Sequence, residues 1–269
     1  MRPPRVPAPV YFGPSDQPLF GCYHEPRPAD RRNSAVVICQ PVGHEYINCH
    51  RALRQLAVRL CEVGFPVLRF DYYGTGDSSG DAVAGILPRW LEDIATAISE
   101  IRHRTCLVSV CMIGLRLGGT LAMITGAQRG DVESLVLWDP VVSGKHYLGG
   151  LLSLQKEMLR FRPKTKDGQR FRGYTDILGF PVSDFFYAQL GTLNLLTISE
   201  RPANSVLVIQ SEPADGEPAL RDHLSRTQAR LEYQRLDIPQ IWLPTVDGSL
   251  LVPSEALKSV VAWTCRTHS

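Results

Sequence analysis

The residues of this chain whose types and spacing speak most directly to chemistry are Gly114, Leu115, Arg116, Leu117 and Gly118. They follow an apolar, β-like run over 108–113 and open onto a helix-compatible segment over 117–127. A strand, a sharp turn and a helix form the context of the pattern G-x-S-x-G, in which serine sits on a strained turn and presents its oxygen as a nucleophile. Here the middle position is arginine. A guanidinium keeps its proton at ordinary pH and is no nucleophile, so acyl-enzyme chemistry on serine cannot start at this position. A fixed cation there suits a different task, holding or polarising a carboxylate, an enolate or a thioester oxygen.

The elements that must position this turn can be read on either side of it. Residues 10–12 and 19–23 read as short edge strands joined by a turn over 13–17. The continuous apolar run over 34–42 predicts a strand buried on both faces, with loop from Gln40-Pro41 onwards. Leu53, Leu56, Ala57, Leu60 and Cys61 recur at helical spacing within 49–63, and Gly64 closes that helix. A second buried strand follows over 65–71, so the order strand, helix, strand implies a right-handed crossover and parallel pairing. Next comes DYYGTGDSSG, whose glycines allow a tight backbone path. It imitates a dinucleotide fingerprint, but turn formers rather than a helix follow Gly76, and no acid closes a next strand. The pattern then predicts an amphipathic helix over 88–102 and a strand over 134–142. Between 143 and 202 the alternation lapses into scattered glycines, aromatic residues and a basic stretch over 160–172, which reads as an inserted lid. Strand 205–210, helix 218–233, strand 240–243 and helix 253–265 complete the expectation.

The bulk numbers narrow the partners. The chain has 269 residues, 44% hydrophobic and 21% charged, with a net charge of +2, enough for a single α/β domain with a full core. No basic block with interleaved aromatics argues for nucleic acid. No run of 18 or more apolar residues argues for a membrane, and the start MRPPRVPAP has no apolar leader region, so the expected compartment is the cytoplasm. Seven cysteines form no C-x-x-C pair and read as buried, reduced thiols. No metal or other cofactor is expected.

Three segments, QPVGHEY after one strand, RFDYYGTGDSSGD after the next and MIGLRLGGTLA at the turn, resemble in order and spacing the α/β-hydrolase superfamily, in its serine-aminopeptidase-like branch. The resemblance implies a mostly parallel eight-stranded sheet flanked by helices, with the site at the carboxyl ends of the strands. Carried over position by position, the nucleophile falls on Arg116. The oxyanion hole falls on the backbone amides of Leu117 and of the loop at Val42, Gly43 and His44. The acid position falls on Glu212 or Asp215, with Asp139 as a further candidate. The loop that should deliver the histidine reads PTVDGSLLV, with Asp247 and Gly248 in its place. An arginine and an aspartate can replace a proton-relay pair by an ion pair, and Asp247, Glu45, Glu212 and Asp215 all compete to neutralise Arg116. Proton transfer then falls to His44 or Glu45. The sequence therefore points to a protein acting on a small acyl, ester or thioester-like molecule without a seryl intermediate. The alternatives are a non-catalytic pseudo-hydrolase that binds a ligand, or a protein partner through the lid, and an esterase with another nucleophile, for which Cys49 at a helix start is one candidate.

Overall fold

The computed structural model describes residues 6–160, 173–211, 217–245 and 247–269. Among the described residues there are ten strands: β1 (Ala8–Phe12), β2 (Leu19–His24), β3 (Ser34–Cys39), β4 (Val67–Phe70), β5 (Ser109–Leu115), β6 (Ser134–Trp138), β7 (Tyr174–Ile177), β8 (Phe180–Ser183), β9 (Ser205–Gln210) and β10 (Arg230–Arg235). Eight of them form one sheet in the order β1-β2-β4-β3-β5-β6-β9-β10. β1 and β2 join antiparallel at one edge, whereas every pair from β4 to β10 runs parallel. This is the α/β-hydrolase fold.

The apolar runs of the central strands serve both faces of the sheet by their period of two. Val36, Ile38, Cys111, Ile113 and Leu115 belong to one core, packed under the helices α1 (His44–Glu62) and α7 (Ser254–Thr267). Ala35, Val37, Val110 and Met112 belong to the other, beneath α2 (Leu87–Thr105) and α3 (Leu117–Arg129). Leu53, Leu56 and Leu60 of α1 are fully buried, each stabilising the fold by about 1.5–3 kcal/mol through area removed from water.

Between β6 and β9 the chain builds α4 (Gly144–Leu159), the antiparallel pair β7 and β8, and α5 (Asp184–Thr192). This insertion is anchored on the α2 side. The Phe186 ring meets Trp90 edge-on at 4.8 Å, and the Leu87 amide donates to Gln189 Oε1 at 3.0 Å.

Three expectations are corrected. The helix expected over 218–233 is α6 (Glu217–Ser225) followed by β10. Leu220 and Leu224 supply a helical stripe, but the chain turns at Gln228 with φ 59°. Arg230 to Arg235 then pair in register with Ser205 to Gln210 as a half-buried edge strand. The strand expected over 240–243 is a turn that buries Ile241 and Trp242, so the eighth strand of the sheet comes from β10. Finally, α1 begins at His44 rather than Cys49, which moves His44 and Glu45 from a loop into the first helical turn.

Candidate functional site

The site starts from backbone geometry. Arg116 joins β5 to α3 with φ 54° and ψ −127°, a region that costs a non-glycine residue on the order of 1–3 kcal/mol. Its amide donates to the Trp138 carbonyl at 3.0 Å, and its own carbonyl accepts from Gly119 at 3.0 Å and Thr120 at 3.2 Å. The flanking glycines are required by close approach. A Cβ on Gly118 would stand 2.3 Å from the Cys39 carbonyl oxygen, and one on Gly114 would stand 2.4 Å from the Gly119 Cα. The turn is therefore fixed on both sides, and the Arg116 side chain is carried to the carboxyl end of the central strands.

There it is held by four groups. Nε donates to Glu45 Oε1 at 3.0 Å, and Nη1 donates to the Asp139 carbonyl at 3.3 Å. The guanidinium carbon lies 4.5 Å from the centre of the Trp242 ring and 5.6 Å from that of Tyr147, so the cation is stacked against aromatic faces. Tyr147 also donates its hydroxyl to Glu45 Oε2 at 3.0 Å. The Glu45 side chain is 3% exposed and that of Arg116 20%, so the pair is sealed on the carboxylate side and open on the guanidinium side. Burial pulls the Arg116 pKa down, but Glu45 and then Tyr147 outweigh it, and the net shift is upward. Burial, reinforced by Glu45, pushes the Tyr147 hydroxyl well above its ordinary range.

Secondary contacts hold these partners in place. Glu45 lies in the first turn of α1, where the helix dipole favours a carboxylate. One turn on, Asn48 donates to the Trp242 carbonyl at 2.9 Å and so ties the 240–243 turn to the same helix. The Asp139 carboxylate is engaged by Ser211, accepting from its amide at 2.9 Å and from its hydroxyl at 2.5 Å.

Arg116 and Glu45 border an open cleft of about 300 Å³, whose other walls include Val142, His146, Tyr147 and Trp242. With Nε and Nη1 engaged, the remaining guanidinium donors are left for this cleft. Among the described residues, no group of three or more His, Cys, Asp or Glu is placed to hold a metal ion, and no helix is long and apolar enough to cross a membrane.

Of the residues the sequence singles out, the structure brings Arg116 and Glu45 together and separates others. Asp247 is exposed, and its Oδ1 accepts from the Ser249 amide at 3.0 Å. That bond, first among its causes, lowers the Asp247 pKa. It is not the partner of Arg116, because the turn ahead of it commits Trp242, not the aspartate, to the guanidinium. Val42, Gly43 and His44 line a neighbouring small cavity with Phe180 rather than the Arg116 cleft, and Tyr147 lines both. His44 approaches Asn48 at 3.4 Å, and burial lowers its pKa against the pull of Glu45. Leu117 opens α3, where the first amides are not used by the helix ladder. Glu212 and Asp215 lie outside the described residues. The residues that sequence reasoning missed are Tyr147, Trp242, Asn48 and His146. Trp242 sat in a segment read as a strand, and Tyr147 in the insertion, where no motif marks it.

The fold and this turn define an α/β-hydrolase. The family model of serine aminopeptidase, S33, matches residues 32–179, more than half of the chain, and the chain belongs to that family. No curated protein matches it in sequence. Among solved structures, it is similar to Est1E from Butyrivibrio proteoclasticus with ferulic acid bound, at 16% identity and a TM-score of 0.69, covering 96% of this chain and 98% of that one. It is also similar to an esterase from Pyrococcus furiosus, at 14% identity and a TM-score of 0.64, covering 98% of this chain and 91% of that one.

Proposed function

We propose that this chain takes a small acyl, ester or thioester-like molecule into the cleft at Arg116 and acts on it without a seryl intermediate, by elimination, isomerisation or direct attack of water. The observation that carries the reading is the placing of Arg116. It occupies the strained turn where G-x-S-x-G seats a serine, and its guanidinium is oriented by Glu45, the Asp139 carbonyl and two aromatic rings. Its remaining N–H donors serve an acyl oxygen or carboxylate, in a site whose apolar walls strengthen such bonds. Glu45 borders the same cleft and is the better placed of the two proton carriers, since His44 faces the neighbouring cavity. The insertion between β6 and β9 supplies Tyr147 and His146 to one wall and acts as a lid. The ferulic acid bound to Est1E and the esterase of Pyrococcus furiosus support the ester-like substrate class.

One observation favours a second reading, a non-catalytic binding protein. Arg116, Glu45 and Tyr147 satisfy one another, which leaves the carboxylate less free to take a proton. A panel of acyl, thioester and lactone substrates, presented to the natural protein and to Arg116→Ala and Arg116→Ser, decides between them. Turnover that disappears in Arg116→Ala supports the enzyme. Arg116→Ser should stay inactive as well, because the loop over 244–252, which delivers the histidine in the family pattern, holds none here. Ligand binding without turnover in any variant supports the binding protein.

A further inference from the structure

A second arginine is buried toward the antiparallel edge of the sheet, with its Nε lacking a hydrogen-bond partner. Arg69 lies in β4 directly opposite Cys22 of β2, only 6% exposed. Its Nε is buried without a hydrogen-bond partner, and no ion pair or hydrogen bond with another described residue engages its guanidinium. It lines a cavity of about 80 Å³ between β2, β4 and α1, together with Cys22, Gln40, Tyr46, His50 and Asp71. The Asp71 carboxylate is turned to other donors. Its Oδ1 accepts from Gln40 Nε2 at 2.6 Å and from the Tyr46 hydroxyl at 3.2 Å, and its Oδ2 accepts from the Asp77 amide at 3.0 Å. The charges around the cavity are thus Asp71, already surrounded by donors, the exposed Asp77, and on the other side Arg69 with Arg54 of α1 adding to its positive field. His24 lies on the same face of β2 as Cys22, and its Nε2 is a second buried polar atom without a partner.

A buried guanidinium left unpaired is among the more costly arrangements a fold can hold, and its planar fork of donors matches the two oxygens of a carboxylate or phosphate. We propose that this cavity binds a small oxyanion on Arg69, on the side away from Asp71, with His50 beside it. The site is separate from the cleft at Arg116, and its occupant bridges β2, β4 and α1 at the edge of the sheet.

The test uses inorganic phosphate as probe, at constant ionic strength with chloride as the balancing anion. Thermal unfolding of the natural protein should shift upward with the logarithm of phosphate concentration, as binding to the folded state alone requires. In Arg69→Met the shift should vanish, and calorimetric titration should show at least a tenfold loss of affinity. Arg69→Met should also unfold no lower than the natural protein in phosphate-free buffer, because it removes an unpaired buried charge. An equal shift in both proteins, or none in the natural one, overturns the proposal, since solvation by water alone predicts no phosphate dependence. Should Arg69→Met not fold, selenate soaked into crystals of the natural protein decides. An anomalous peak within hydrogen-bonding reach of Arg69 supports the site, and a cavity without one overturns it.

Discussion

Arg116 bears two costs at once, a left-handed backbone of about 1–3 kcal/mol and the partial burial of a charge. Glu45 offsets the second, and its own burial makes the dependence mutual. Removing one member of a buried pair leaves the other uncompensated, at about 3–5 kcal/mol. Glu45→Ala should therefore destabilise the fold by an amount near the lower end of that range, because Arg116 keeps 20% of its side chain in water. Urea unfolding of Arg116→Ala, Glu45→Ala and the double variant should give losses that do not add, and additive losses would show that the charges are uncoupled. The pair's contribution has a defined pH sense. With the folded Arg116 pKa raised, chiefly by Glu45 against the effect of burial, the arginine's share of the stabilisation is fully present below its unfolded pKa and fades only as pH rises through the folded one. At this scale the pentapeptide 114–118 exposed the arginine at once, because turn and residue type are both local. Its partner was legible only as one of several acids. Stacking by Trp242 and Tyr147 had no signature, since it depends on where two distant segments come to rest.

Helix α1 decides the site more than any other element. By starting at His44 it turns Glu45 into the first turn and Asn48 toward the 240–243 turn. Asn48→Ala should lose the bond to the Trp242 carbonyl and about 1 kcal/mol of stability. Trp242→Ala empties a buried ring site and should cost about 3–5 kcal/mol. Equal effects from the two would show that the turn is held by Asn48 rather than by packing of the indole. The insertion invites a second measurement at this scale. If it is a lid, hydrogen exchange in α4 and α5 should be faster than in β3, β5 and β6, whereas protection equal to those central strands would remove that role. The central strands and α1 to α3 were legible because continuous apolar runs and helical stripes are strong local signals. β10 was not, because RLEYQR has the polar composition of an edge strand and follows directly on a helical stripe. Its identity comes from pairing with β9, which no local window contains.

Across the whole molecule, the parallel sheet and its two cores were foreseeable from the repeating order of strand and helix, and the three glycine-bearing segments placed the site at the carboxyl ends of the strands. What order alone could not foresee was how the sheet's antiparallel edge buries ionisable groups. His24, buried in β2, has its pKa pulled to about 4, by burial first and then by Arg69 and Arg54. Between pH 6.5 and about 4 the unfolded chain binds a proton there that the folded chain refuses, so stability rises with pH across that window. Acidification through it should cost about 3 kcal/mol, and His24→Phe should flatten the dependence in urea unfolding followed from pH 7 to 4.5. An unchanged slope in that variant would assign the proton uptake elsewhere. The central claim, that the strained turn of this hydrolase fold carries a fixed cation and no seryl intermediate forms, is tested most directly by the mass of the intact protein after exposure to a fluorophosphonate probe. An unshifted mass at saturating probe is the expected result, whereas a stoichiometric adduct on any serine would contradict that claim.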